Sequence, residues 1–179
     1  MLSELTQAMI VNGAVLVAVL HSDLGSERKI GPMRILRPLV LAGAVIPLFV
    51  QSPATHGTGL AVELAGIAAG LLGGLVAVAL MAVHRSRETG RPVSRAGTPY
   101  ALLWIVVIGA RAAFSYGSSH WFPAQLTSWC IAHQVTGAAI TDALIVMAVA
   151  MLLTRTIGLG ARAARLPAAA TASGALRAA

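Results

Sequence analysis

Long apolar runs separated by short polar segments organise this chain. A helix needs roughly 20 predominantly apolar residues to cross a bilayer. On that measure the pattern predicts five spans, at about 4–20, 35–50, 60–83, 99–116 and 133–154. The first is short and carries Gln7 and Asn12. The second has Pro38 near its first turn and contains Pro47, whose missing N–H predicts a kink. Past Arg155 the apolar periodicity fades, and residues 159–179, rich in Ala and Arg, read as a disordered cytoplasmic tail. The expected fold is all-α: a polytopic membrane helix bundle of about five transmembrane helices, filling residues 1–158.

Composition points the same way. Of 179 residues, 57% are hydrophobic and 11% charged, and the mean hydropathy is +0.80. A soluble domain carries about 25% charged residues, so this chain has too few polar groups to cover a water-facing surface. The formal charge is +7 and the pI near 11.3. In a soluble protein that balance suggests nucleic acid. Here no basic patch interleaved with aromatics accompanies it, and cytoplasmic loops of membrane proteins collect Lys and Arg. The expected partner is the lipid bilayer, not nucleic acid. A secretory signal peptide needs a basic stretch before its apolar core. Glu4 is acidic and the first Lys or Arg is Arg28, so the first span is expected to be retained. Lys29 is the one lysine among 13 basic residues, a bias typical of GC-rich bacterial genomes; the expected location is the bacterial cytoplasmic (inner) membrane.

The basic residues also orient the bundle. Arg28, Lys29, Arg34 and Arg37 flank the first loop, Arg85, Arg87, Arg91 and Arg95 the third, and Arg155, Arg162, Arg165 and Arg177 lie at the C-terminal end. The second loop, QSPATHGTG, and the fourth, SSHWFPAQLTSWCIAH, hold neither Lys nor Arg. The positive-inside rule then places the N-terminus outside and the C-terminus in the cytoplasm. Only Arg111 breaks the alternation.

Three expected spans carry an ionisable residue: Glu63, Arg111 and Asp142. Counted at 1.5 Å per residue, all three fall within roughly 5–14 Å of the outer boundary, which suggests an intramembrane charge cluster. Gly66, Gly70 and Gly74 form overlapping GxxxG repeats on the face that carries Glu63. Such a groove admits a second helix at close range, from this chain, another copy or another membrane protein. Two readings follow. The cluster is a structural ion pair that fixes helix register, or Glu63 and Asp142 form a proton or cation site. An acid held beside a fixed cation stays ionised and is poorly suited to releasing a proton, which favours the structural reading.

The outer loops gather His56, His120, Cys130 and His133. Cys130 and His133 have a C-x-x-H spacing, which suits a metal or a haem iron. The aromatic belt at a membrane interface accounts for Trp121, Phe122 and Trp129 without a cofactor, so no metal or cofactor is expected and His120, Cys130 and His133 are the residual candidates. A lone cysteine excludes an internal disulfide and a CxxC pair. Ser115, Ser118 and Ser119 adjoin His120, but no G-x-S-x-G elbow organises a nucleophile. No catalytic residue is assigned.

Taken in order, RILRPLVLAG, VELAGIAAGLLGG, SRAGTPYALLWIVVIGARAAFSYG and TDALIVMAVAMLLTRTIGL resemble the CcdC-like family of small bacterial integral membrane proteins, particularly its actinobacterial members. The resemblance covers most of residues 28–158 and includes Glu63, Arg111 and Asp142. It implies a multi-pass membrane protein with a link to cytochrome c maturation, and no established activity. Cys130 stands alone, which departs from what a thiol relay requires. The expected role is a non-enzymatic accessory or scaffold subunit. A small ion- or proton-coupled transporter is the first alternative, and a haem- or thiol-handling membrane protein the second.

Overall fold

The computed structural model describes residues 4–25, 27–49 and 57–167. Six helices account for most of them: α1 (Glu4–Asp23), α2 (Pro32–Phe49), α3 (Gly57–Ala79), α4 (Thr98–His120), α5 (Pro123–Ala132) and α6 (Gly137–Ala164). Three of these, α3, α4 and α6, are long and apolar enough to cross a membrane. Their outward surfaces are apolar: Leu64, Leu71, Leu72, Leu75 and Val76 on α3, Leu102, Ile105 and Val106 on α4, and Ile157 on α6 are all exposed. Side chains of this kind suit contact with lipid.

The fold is not purely helical. Strands β1 (Arg28–Lys29), β2 (Met81–Arg85) and β3 (Pro92–Ala96) form an antiparallel sheet in the order β1-β3-β2. Arg28 pairs with Ser94, and Met81 through Arg85 pair with Ala96 back to Pro92. The third expected span, 60–83, therefore ends early. Its last residues leave the helix after Ala79 and pair with β3. The apolar run is continuous there, so hydropathy alone cannot separate helix from strand. The hairpin closes through Gly90, whose φ of 63° lies in the left-handed region that glycine tolerates.

The other boundaries shift for local reasons. Helix α6 starts at Gly137 rather than 133: Gln134 has φ 54°, and the Thr136 hydroxyl caps the helix by accepting from the Ala139 N–H. It then continues to Ala164, absorbing the start of the expected tail. The C-terminal part of that tail, 168–179, lies outside the described residues, as does most of the second loop with His56. The fourth loop contains α5, opened by Pro123 at its first turn.

Five helix termini meet at the sheet. Helices α1, α3 and α6 run towards it, and α2 and α4 run away from it. The principal core sits at this end, built from Ala77, Met81, Ala96, Tyr100, Trp104, Ile108, Met151 and Leu159. Helix α3 packs along α6 through its glycine face. A Cβ on Gly66 would fall 2.7 Å from the Ala143 carbonyl oxygen, and one on Gly74 would fall 2.6 Å from Thr154 Cβ. Those distances are too short for any side chain, so the close approach needs glycine. The groove foreseen for a partner helix is filled from within the chain.

Candidate functional site

The most organised polar site lies at the sheet end, on residues that charge counting treats as loop. Asp23 closes α1 and is 2% exposed. Arg34, in the first turns of α2, donates from Nη2 to Asp23 Oδ1 at 2.9 Å and from Nη1 to Ser94 Oγ at 2.9 Å. Arg155, from α6, pairs with Asp23 Oδ2. The Tyr100 hydroxyl, from the start of α4, donates to the same oxygen at 2.6 Å. One carboxylate thus ties α1, α2, α4, α6 and, through Ser94, β3. Arg155 also lies 5.8 Å from the Tyr100 ring centroid, within cation–π range.

Local sequence explains each placement. Arg155 lies one turn after Met151 and one before Leu159, and all three are buried on a single stripe of α6. Because α6 runs on to Ala164, Arg155 is inside the helix and faces inward. Arg162, two turns later, donates to the carbonyls of Val78 at 2.5 Å and Met81 at 3.1 Å. It thereby caps the end of α3, whose last carbonyls lack helical partners. Arg85 reaches back to the Pro167 carbonyl at 2.5 Å and the Gly90 carbonyl at 2.9 Å. Glu27 and His84 meet at 2.9 Å on the exposed edge of the sheet.

Beside the Asp23 network opens a cavity of about 490 Å³. Arg28, Lys29, Arg34, Arg37 and Arg155 line it together with Asp23. Arg155 Nε is buried without a hydrogen-bond partner among the described residues.

The three charges expected to cluster lie on α3, α4 and α6. Glu63 and Asp142 are both buried, at 8% and 4% exposure. The contact of Gly66 with Ala143 sets the register, so the two acids lie at similar heights on α3 and α6. Asp142 Oδ2 has no hydrogen-bond partner among the described residues. Arg111 is half-buried and forms no ion pair among the described residues. It borders an apolar groove of about 420 Å³ with Ala69, Gly73 and Met151. On α3, Ala69 and Gly73 lie six and ten positions past Glu63, roughly 9 Å or more deeper; on α6 the groove runs from Leu144 to Met151. Arg111 shares no ion pair with either acid among the described residues.

Near the opposite end, α4, α5 and α6 enclose a cavity of about 710 Å³ lined by Ser115, Ser118, Ser119, Thr127, Cys130, Gln134 and Thr141 among others. The two described histidines of the loop constellation are engaged with aromatic rings. His120 stacks on Tyr116 with centroids 4.4 Å apart, and His133 on Trp129 at 4.7 Å. Among the described residues no group of three or more His, Cys, Asp or Glu side chains converges to hold a metal.

Sequence reading missed Asp23. A signal was available: an acid at the C-terminal end of a span opposes the helix dipole and needs a compensating cation. No protein-family model matches this chain, and neither a curated protein sequence nor a solved structure does so significantly.

Proposed function

We propose that this chain is a five-span protein of the bacterial cytoplasmic membrane, N-terminus outside and C-terminus inside, acting as a non-enzymatic accessory or scaffold subunit. The observation that carries the reading is the use made of buried charge. Asp23, Arg34, Arg155 and Arg162 all bind one another or the ends of neighbouring elements, so they hold helix termini together. The alternating helix directions at the sheet support the orientation, because the two basic loops and the end of α6 then share the cytoplasmic side. Kinship with the CcdC-like family belongs to the same proposal and adds no activity to it.

One observation favours a second reading, an ion- or proton-coupled carrier. Asp142 is buried with an unpartnered oxygen at the height of Glu63, and an intramembrane acid of that kind is a candidate ion site. Reconstitution in proteoliposomes with an entrapped pH-sensitive dye separates the two. The accessory reading expects no proton or cation flux above empty vesicles. Flux that falls in Glu63→Gln and Asp142→Asn would establish the carrier.

A further inference from the structure

The basic cavity beside Asp23 has more cation than its own network consumes. Asp23 is already met by Arg34, Arg155 and Tyr100. Arg28, Lys29 and Arg37 line the same space, and none of them forms an ion pair among the described residues. Five cationic residues therefore line about 490 Å³ with one carboxylate among them, and that carboxylate is satisfied; Arg28, Lys29 and Arg37 are exposed, and Arg28 also donates to the His21 carbonyl at 3.2 Å. Like charges so gathered create a positive potential that attracts an anion. The cavity also lies at the N-terminus of α2, where the helix dipole adds positive potential. Arg155 also lines the cavity and is 8% exposed, and its Nε–H is buried with no acceptor among the described residues. A buried, charged donor left unmatched is costly.

The geometry points to a phosphate-binding site occupied by the headgroup of an anionic phospholipid. Planar guanidinium groups match the paired oxygens of a phosphate. The source of the phosphate follows from the rim. Met33 lines the cavity, and Met33, Leu36 and Val40 form an exposed apolar strip along α2 directly beyond it. A soluble phosphate has no use for that strip, whereas an acyl chain running down α2 from a seated headgroup would cover it. Basic pockets at this level on the cytoplasmic side suit anionic lipid headgroups. The inference rests on the membrane reading of this end of the bundle, and is independent of the accessory role.

The test uses the purified full chain in detergent, titrated with dioleoyl phosphatidylglycerol, dioleoyl phosphatidylcholine or inorganic phosphate, with the apparent Tm as readout. Phosphatidylglycerol is expected to raise the Tm, and phosphatidylcholine to leave it unchanged. Lys29 and Arg37 make no ion pair among the described residues, so Lys29→Gln with Arg37→Gln should fold normally and bind phosphatidylglycerol roughly tenfold or more weakly. Equal shifts with the two lipids, or an unaltered phosphatidylglycerol response in the double variant, would overturn the site. A shift with inorganic phosphate and none with phosphatidylglycerol would overturn the lipid assignment. Flotation of the protein with phosphatidylcholine vesicles is run alongside: a chain that floats yet does not discriminate between the lipids refutes the site alone, and one that fails to float refutes the membrane reading.

Discussion

At the sheet end, one buried acid meets two arginines and a tyrosine, and four helices share the contact. Towards the other end, two buried acids and a half-buried arginine share no ion pair with one another among the described residues, and α5 has no buried residue at all. Both regions carry charge close to apolar surface. They differ in what the chain does around it. At the sheet end, strands and helix termini supply polar partners from several directions, so buried charge becomes a clamp. Along α3, α4 and α6 the neighbours are glycine, alanine and methionine, so Arg111 borders an apolar groove. Charge depth in a sequence therefore says little about pairing until the register of the helices is known.

The comparison breaks most decisively at Asp23. Replacing Asp23 with Ala leaves Arg34 and Arg155 without their carboxylate, and removing one partner of a buried pair costs about 3–5 kcal/mol. A large fall in apparent stability in detergent is expected. Asp142→Leu should be neutral or mildly stabilising by the same measurement, since it removes a buried oxygen that has no partner. Similar losses for the two variants would erase the distinction between the ends.

Next in size is Gly70→Leu. The new side chain would meet the Met147 carbonyl and the Ala150 methyl on α6, and overpacking of this sort costs about 1–3 kcal/mol. Leu72→Val, on an exposed surface of α3, should change little. Thermal unfolding of the pair shows whether the glycine face is the packing face.

Smaller effects sharpen the picture. Arg111→Leu should cost under about 1 kcal/mol, because no buried ion pair is lost. A loss as large as that of Asp23→Ala would reveal a partner that the fold does not bring to it. Glu27→Gln should be smaller still, about 0–1 kcal/mol, as the pair with His84 is exposed.

Much of this architecture was legible from the residues. Apolar run length marks α3, α4 and α6, and the glycine spacing marks the packed face of α3. The three-stranded sheet was not legible. Met81–Arg85 continues an apolar helix without a break, and β1 is two residues long, so each gains its identity only by pairing with β3. Arg155 was read as loop charge because the hydropathy falls there, although the burial stripe through Met151 and Leu159 keeps it inside the bundle. The cluster of Glu63, Arg111 and Asp142 was expected from depth and from the faces these residues share with small residues on their helices. Depth fixes a plane and leaves the rotation of each helix about its axis open, and that rotation decides who meets whom.

The central claim is that the Asp23 clamp holds the sheet end together through direct pairing, and a double-mutant cycle between Asp23→Ala and Arg155→Ala tests it most directly. Apparent stabilities of the wild type, both single variants and the double variant are measured in one detergent. The account predicts that the double variant loses less than the two single losses combined, by about 1–3 kcal/mol, as expected for residues in contact. Losses that add to within about 0.5 kcal/mol would show that Asp23 and Arg155 act independently, and would contradict the clamp.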